Sequence, residues 1–401
     1  MFLTTKTYQG GNHMTQVHFT LETEEIQSLI ENSVKDDTAK SILKMVFHQV
    51  MEQERTDYLQ VDDYERSGNR VSQRNGYYER ELTTRVGTLD LKVPRTRDGK
   101  FSPDIFERYQ RNEKALLASM VEMYVSGVST RKVSQIVEEL CGKTVSKSFV
   151  SSLTKQLDPL VSEWQNRILS DTKYPFLMVD VLYIKVREDH RVLSKSCHIA
   201  LGITEEGERE IIGFMIQNGE SVETWTTFFN YLKKRGLSGT QLVISDAHPG
   251  LVTAIRQSFA GISWQRCQVH FMRNILETIP KKESKPFRDS LKAIFRFTNI
   301  NLARAAKDQL LQAYEGKKKY QKACEKLDNG FEDAFQYTVM EQVHSRLKST
   351  NLIERLNQEV RRREKTIRIF PNVASANRLV GAVLMDEHEE WISSPRKYIQ
   401  F

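Results

Sequence analysis

The sequence predicts an α/β core interrupted by an all-α insertion and preceded by a mainly α-helical region that carries a small β-hairpin unit. Three observations lead there. The run FLMVDVLYIKVR (176–187) alternates with the two-residue period of a strand, placing Phe176, Met178, Asp180, Leu182, Ile184 and Val186 on one face. QLVISDAHPGLVTAIRQSFAGISWQRCQVH (241–270) gives a strand ending at Asp246, a helix after Pro249-Gly250, and a second strand reaching Cys267 and His270. From 281 to 345 the pattern turns helical and rich in Lys, Gln and Ala, with Leu291, Ile294, Leu302, Leu310, Leu311 and Phe335 spaced for packing.

Taken in order, residues 1–13 (MFLTTKTYQGGNH) are a polar leader without periodicity, expected to be disordered. Residues 14–69 form an amino-terminal helical region: Ile26, Leu29, Ile30, Ile42, Leu43, Val46, Phe47 and Val50 recur at three and four, and Asp36-Asp37 breaks the pattern into two helices. Residues 70–110 read as a small basic β unit around Asn75-Gly76, Val86-Gly87 and Asp98-Gly99. Residues 111–172 return to helix. Leu116, Leu117, Met120, Val121 and Tyr124 make one stripe. Ser129 caps a second helix bearing Val133, Ile136, Val137 and Leu140, which Gly142 ends; Ser146 caps a third with Phe149, Val150 and Leu153 on its apolar side. Lys147, Ser148, Ser151 and Lys155 are left on other faces, the pattern of a helix-turn-helix DNA reader, although a solvated face of a three-helix packing would look alike.

Residues 173–280 supply the first part of the core. Strands near 176–187, 192–203 and 210–217 are joined by short turns and should be antiparallel. A helix over 222–234 follows with Trp225, Phe228, Phe229 and Leu232 as its stripe. The insertion occupies 281–345, and 346–401 return to the core through the helix STNLIERLNQEVRRRE (349–364), whose apolar row is Leu352, Ile353, Leu356 and Val360. Glu354 lies off that row among Asn357, Gln358, Arg361 and Arg362, a stripe that is either a functional edge or a plain solvated face.

Basic residues exceed acidic ones, 59 Lys+Arg against 52 Asp+Glu for a formal charge of +7, which suits a polyanionic partner without identifying it. The four cysteines (Cys141, Cys197, Cys267, Cys324) form no CxxC pair, as expected in a reducing compartment. No run approaches membrane-spanning length and nothing marks the amino terminus for export, so the bacterial cytoplasm is the expected location.

Two carboxylates stand out. Asp180 interrupts an apolar row, and burying it unpaired would cost several kcal/mol, so an Arg or a metal ion should compensate it. Asp246 ends a strand, where α/β sheets gather chemistry, although Asp also favours turns there. Three antiparallel strands, a helix, a parallel strand, a helix, a further strand and a late helix is the order of a ribonuclease-H-like fold, in which three such carboxylates converge. Asp180, Asp246 and Glu354 hold those places.

On these residues the sequence resembles the mutator-type transposases of bacterial mobile elements, the insertion sequence 256 family. The matching runs are VDVLYIKVR, SDAHPGL, WQRCQVHFMRN, STNLIERLN with RRREKTIRIFPN, RNGYYERELTTRVGTLDLKVPRTRDGKF and GVSTRKVSQIVEELCGKTVS, and the likeness covers nearly everything after Met14. It implies a DDE transposase that binds terminal inverted repeats and performs metal-dependent 3′-end nicking and strand transfer, by copy-out/paste-in through a circular intermediate. It implies Asp180, Asp246 and Glu354 as catalytic metal ligands for two Mg²⁺ (or Mn²⁺) ions, with Asp180 bridging both. His248, Trp264, Cys267 and His270 are expected as supporting residues. Cys267 and His270 form a lone CxxH, short of the four ligands of structural zinc, so zinc is not expected. Arg273, Asn357, Gln358, Arg361 and Arg362 join Lys147, Ser148, Ser151 and Lys155 as expected contacts to double-stranded DNA, with the protein a dimer or higher oligomer near the nucleoid. A transposase-derived DNA-binding protein without catalysis, and a nuclease without strand transfer, stand as rival readings.

Overall fold

A computed structural model describes residues 38–61, 68, 70–84, 87–103, 106, 114–142, 144–340 and 345–400. The expected leader at 1–13, the helical positions Ile26, Leu29 and Ile30, and the Asp36-Asp37 break lie outside these residues. The described residues form two compact units, one running to Tyr124 with Ser129–Leu153, the other comprising Val125–Val128 and everything from Thr154 onward.

In the first unit, helix α1 (Thr38–Leu59) covers a hairpin of β1 (Arg74–Thr84) and β2 (Gly87–Thr96), which pair antiparallel from Tyr77↔Pro94 to Thr84↔Gly87. The strand period decides which side is covered: Leu89, Leu91 and Val93 are buried with Met51, Leu82 and Phe106, whereas Tyr77 and Tyr78 face outward. Asn75-Gly76 falls inside β1, at a register shift where Gly76 adopts φ +68°; it serves as a bulge, and the chain reverses at the Gly87 end.

Helices α2 (Lys114–Val125), α3 (Thr130–Cys141) and α4 (Lys147–Thr154) follow. Ser129 caps α3 by accepting from Lys132 N, and Gly142 ends it in the left-handed conformation. Ser146 Oγ accepts from Phe149 N at the start of α4. Two expected stripe residues differ. Leu140 is 64% exposed because the α3 stripe is Val133, Val137 and Cys141 at strict four-residue spacing. Phe149 lies on the exposed side of α4, which buries Val150 and Leu153.

The second unit begins with α5 (Leu157–Gln165) and builds a five-stranded sheet from β3 (Phe176–Glu188), β4 (Arg191–Ile203), β5 (Arg209–Gln217), β6 (Leu242–Ser245) and β7 (Ser263–Arg266), in the order β5-β4-β3-β6-β7. β3, β4 and β5 pair antiparallel, as short connections require; β6 joins β3 in parallel and β7 joins β6 in parallel. The parallel crossovers are helical: α6 (Val222–Lys234) between β5 and β6, and α7 (Pro249–Ser258) between β6 and β7. Trp225, Phe228, Phe229 and Leu232 of α6 pack with Leu177, Val179 and Val243 beneath the sheet.

After α8 (Gln268–Leu276) come α9 (Ser284–Ile294), α10 (Ile300–Ala313) and α11 (Gln321–Gly330), the helical segment expected between 281 and 345. Leu291, Ile294, Leu310 and Phe335 are buried, but Leu302 is 55% exposed in the first turn of α10. This segment is tied to the sheet by buried amides: Gln265 of β7 donates to Ala334 O and accepts from Tyr337 N, and Gln268 also donates to Ala334 O. Helix α12 (Asn351–Ile367) then returns across the sheet. Phe370 and Lys185 exchange backbone hydrogen bonds with β3, Phe370 N donating to Lys185 O and Arg187 N to Phe370 O. The last helix, α13 (Val373–Ser393), packs on β5 and α5, locked by Arg378 donating to both carboxylate oxygens of Asp158. No helix among the described residues is long and apolar enough to cross a membrane.

Candidate active site

The strand registers bring the first two carboxylates together. β3 pairs with β6 as Phe176↔Leu242, Leu177↔Val243 and Met178↔Ile244, and the same offset carried two residues further matches Asp180 with Asp246. Both leave the sheet core at the carboxyl-terminal side of adjacent parallel strands, where their backbones no longer pair and side chains gain room. Asp180 Oδ1 accepts from Val181 N at 2.9 Å, and its Oδ2 accepts from Asn357 Nδ2 at 2.7 Å. Asp246 Oδ1 accepts from His248 N at 3.2 Å. Ser245 beneath it donates to Asp246 O and accepts from the Trp264 indole at 2.9 Å, so Trp264 fixes the strand tip from within the core.

Glu354 arrives from α12, one turn before Asn357. Its Oε1 lies 3.1 Å from His270 Nε2, at ion-pair distance but without hydrogen-bonding alignment, and that oxygen is enclosed with no hydrogen-bond partner. The three acids share one electrostatic neighbourhood. Burial pushes Asp180 up to about 7; the Val181 N–H opposes this, the Asp246 charge adds to it, the His270 charge opposes it and the Glu354 charge adds to it. No Arg pairs with Asp180 among the described residues; an amide, a backbone N–H and a nearby imidazolium take that part.

Cys267 and His270 sit where β7 runs into α8. Cys267 N donates to Ser245 O at 2.8 Å, beside the Asp246 tip. Its Sγ accepts from Thr350 N at 3.4 Å and Thr350 Oγ1 at 3.2 Å, which fastens the residue preceding α12 to the end of β7. His270 is held as an imidazolium: hydrogen bonding to Cys267 raises its pKa to about 9 against the cost of burial, with the Cys267, Glu354 and Asp180 charges adding to the rise. Burial alone would raise the Cys267 thiol, but hydrogen bonds from His270 and Thr350 bring it below its ordinary value. The Cys267, His270 and Glu354 donor atoms lie within 4.8 Å of one another, three donors where a structural zinc takes four.

A second network is absent from the sequence reading. Glu220, just before α6, accepts from Tyr183 OH and Trp225 Nε1, both at 3.1 Å, and its Oε1 lies 3.4 Å from His248 Nδ1. It links β3, α6 and the loop after Asp246. No periodicity marks a single Glu in the loop before a helix, so only the fold reveals it.

Of the residues expected to touch DNA, Lys147, Ser148, Ser151, Lys155, Arg273, Gln358, Arg361 and Arg362 are exposed. Arg361 donates to Tyr183 O, and Arg362 pairs with Glu359 at 2.9 Å. Asn357 differs: it is buried against Asp180, because the α12 stripe that carries Glu354 faces β3 at that turn. Its place is inside the carboxylate site.

Sequence comparison agrees with the motifs. A family model described as "Transposase, Mutator family" matches residues 14–394. The chain is 75% identical over 97% of its length, and 100% of the relative's, to the transposase for insertion sequence element IS256 in transposon Tn4001 of Staphylococcus aureus. It is 40% identical to the transposase for insertion sequence element ISRM5 of Rhizobium meliloti, covering 90% of each chain. Among solved structures, the Drosophila P element transposase strand transfer complex is similar at a TM-score of 0.32 and 11% identity over 74% of this chain and 83% of that one, too slight a likeness to carry an argument. With a family match across the sheet, both carboxylate strands and α12, the chain belongs to the Mutator family of transposases.

Proposed function

We propose that the protein is a DDE-type DNA transposase with a ribonuclease-H-like catalytic core, in which Asp180, Asp246 and Glu354 hold two Mg²⁺ (or Mn²⁺) ions. The observation that carries this reading is the meeting of three carboxylates from separate elements at one strand-end mouth, two set by the β3–β6 register and one by the docking of α12. The donor set fits: all three are hard oxygen ligands, and an enclosed Glu354 oxygen lacks a hydrogen-bond partner. When bound, such ions would activate a nucleophilic oxygen and stabilise the leaving 3′ oxygen of a phosphodiester. The protein's own groups supply order. Asn357 fixes one Asp180 oxygen and Val181 N–H the other, leaving their remaining lone pairs directed by the backbone. His270 balances negative charge beside Glu354, and the Cys267–Thr350 contacts hold the start of α12 in place.

The substrates are double-stranded DNA ends, the terminal inverted repeats of the element, and a target duplex, handled by a dimer or higher oligomer in the bacterial cytoplasm. The pathway is nicking, joining of one end to its partner strand, and insertion of a circular intermediate. The deciding experiment incubates the protein and Mg²⁺ with a labelled duplex carrying the repeat that flanks its gene. Site-specific nicking followed by joining supports the reading; binding without nicking would make the chain a DNA-binding protein, and nicking without joining a nuclease.

A further inference from the structure

The catalytic unit carries a second concave site away from the acids. A cavity of about 380 Å³ is lined by Arg209, Arg346, Lys348 and Arg355, together with Ser345, Ser349, Asn351, Leu352 and Tyr398. Four cations and four hydroxyl or amide groups face it, and no carboxylate lines it. The arrangement is built. Arg209 lies 4.5 Å from the Trp391 ring and 5.8 Å from that of Tyr398; Arg346 lies 4.8 Å from the Tyr398 ring and donates to the Tyr398 carbonyl. The next residue, Ile399, donates its N–H to Gly207 O at 2.9 Å. Gly207 has φ +83°, and a Cβ there would meet Ile399 O at 1.9 Å, so the β4–β5 turn accepts the carboxyl-terminal segment only because it is glycine.

Like charges are concentrated here. Burial lowers the Arg209 pKa, Tyr398 opposes that and the Arg346 charge adds to it; Glu387 and Glu390 act on Arg209 too but do not line the cavity. Three guanidiniums, Arg346, Arg209 and Arg355, act on the Tyr398 phenol, which burial raises. Holding cations together has a cost that an anion in the cavity would offset. Arg355 also follows Glu354 directly: successive Cα atoms are about 3.8 Å apart and successive helical side chains point roughly 100° apart, so the cavity flanks the carboxylate mouth across a single helix.

We propose that this cavity binds a backbone phosphate of the DNA whose neighbouring phosphodiester is at the carboxylate mouth, an inference that rests on the DNA-processing reading above. Arginine forks and lysine suit phosphate oxygens, and a contact to phosphate positions a duplex without reading its sequence.

The test uses the full chain carrying Asp180→Asn, so that DNA stays intact, in EDTA, with a 40-base-pair duplex (a length of about four helical turns) of arbitrary sequence and a second of unrelated sequence. Adding Lys348→Gln and Arg355→Gln together should weaken binding of both duplexes equally. It should also make the slope of log affinity against log salt shallower by about 1.8, two phosphate contacts at roughly 0.9 each. Lys318→Gln with Lys322→Gln, exposed on the α10–α11 side, is the charge-matched control and should leave the slope unchanged. Arg355→Lys should retain more of the slope than Arg355→Gln, and this single-site pair decides the matter should the double variant fail to fold. A slope equal to that of the parent, or a change no larger than the control's, overturns the proposal while leaving the transposase reading intact. Stabilisation by inorganic phosphate with an unchanged DNA slope overturns it too, as a small-anion pocket. Failure of the parent itself to bind either duplex removes both readings.

Discussion

The carboxylate mouth and the exposed side of α4 are both polar, but they are built by opposite rules. At the mouth each polar group is fixed by another element: Asp180 by Asn357 from α12, Asp246 by the turn into α7, Thr350 by Cys267 from the end of β7. On α4 the visible contacts are local, Ser146 with Ser148 at 2.9 Å and Ser152 with Phe149 O at 2.8 Å, while Lys147, Ser148, Ser151 and Ser152 face solvent. Chemistry on a phosphodiester needs charges held in place before the substrate arrives, whereas backbone contacts to a polyanion tolerate a mobile lysine. The first region should therefore respond to single substitutions by losing reaction, and the second by losing affinity in small, additive steps.

The largest effect is expected at the acids. Asp180→Asn, Asp246→Asn and Glu354→Gln should each lower single-turnover nicking at least about a thousandfold, the order lost when a group stabilising transition-state charge is removed, with duplex binding in EDTA retained. Nicking by Glu354→Gln near the parent rate would move the acid elsewhere, with Glu359 and Glu364 next on the same helix. Glu364 is the more enclosed of those two and lies 3.4 Å from Arg361.

A smaller effect should follow from loosening what holds α12. Thr350→Val removes the hydroxyl donor to Cys267 Sγ while preserving shape. Groups that orient metal ligands typically contribute 10- to 100-fold, so about tenfold slower nicking is expected, partly recovered by raising Mg²⁺. An unchanged Mg²⁺ dependence would mean that this contact stabilises the fold and does nothing for the site.

Asp180 also predicts a pH effect on stability without metal. Its folded pKa is raised from the ordinary 3.8 to about 7, chiefly by burial. Between those values the unfolded chain has released a proton that the folded chain keeps, so stability is fully present below about pH 4 and is lost as pH rises through 7. Asp180→Asn has no such proton. In EDTA its melting temperature should exceed the parent's by several degrees at pH 8, the gap narrowing toward pH 5; equal gaps at both pH values would remove burial of the charge as the cause.

What the sequence revealed follows the same division. Strand periods and the helix pattern marked Asp180, Asp246 and Glu354, and Ser129, Gly142 and Ser146 were legible as caps because capping depends on neighbours in the chain. Contacts between distant elements were not legible. Asn357 looked like one more polar residue on a charged stripe until α12 was seated on β3, and Glu220 acquires its role only when Tyr183, Trp225 and His248 surround it. Leu140 and Leu302 were misplaced for a simpler reason: at helix ends a neighbour with slightly better spacing, such as Cys141, takes the buried position.

The smallest effect, and the one that separates the two regions most cleanly, belongs to α4. Lys147→Ala and Lys155→Ala remove exposed charges that nothing in the site depends on, so each should weaken duplex binding only a few-fold at moderate salt. Each should also make the salt slope shallower by about 0.9, the counterion released per phosphate contact. Nicking at saturating DNA should stay at the parent rate, because affinity is restored by concentration and the carboxylates are untouched. If α4 also reads sequence, as a second helix with an exposed polar side would in a helix-turn-helix, Ser148→Ala and Ser151→Ala should narrow the preference for element ends over random duplex while leaving the slope alone. A uniform loss of affinity on both duplexes from the serine variants would assign this helix to the phosphate backbone, and sequence reading would then have to be sought in the β1–β2 unit, where Tyr77 and Tyr78 stand exposed with Arg55 5.1 Å from one ring and Arg95 5.7 Å from the other.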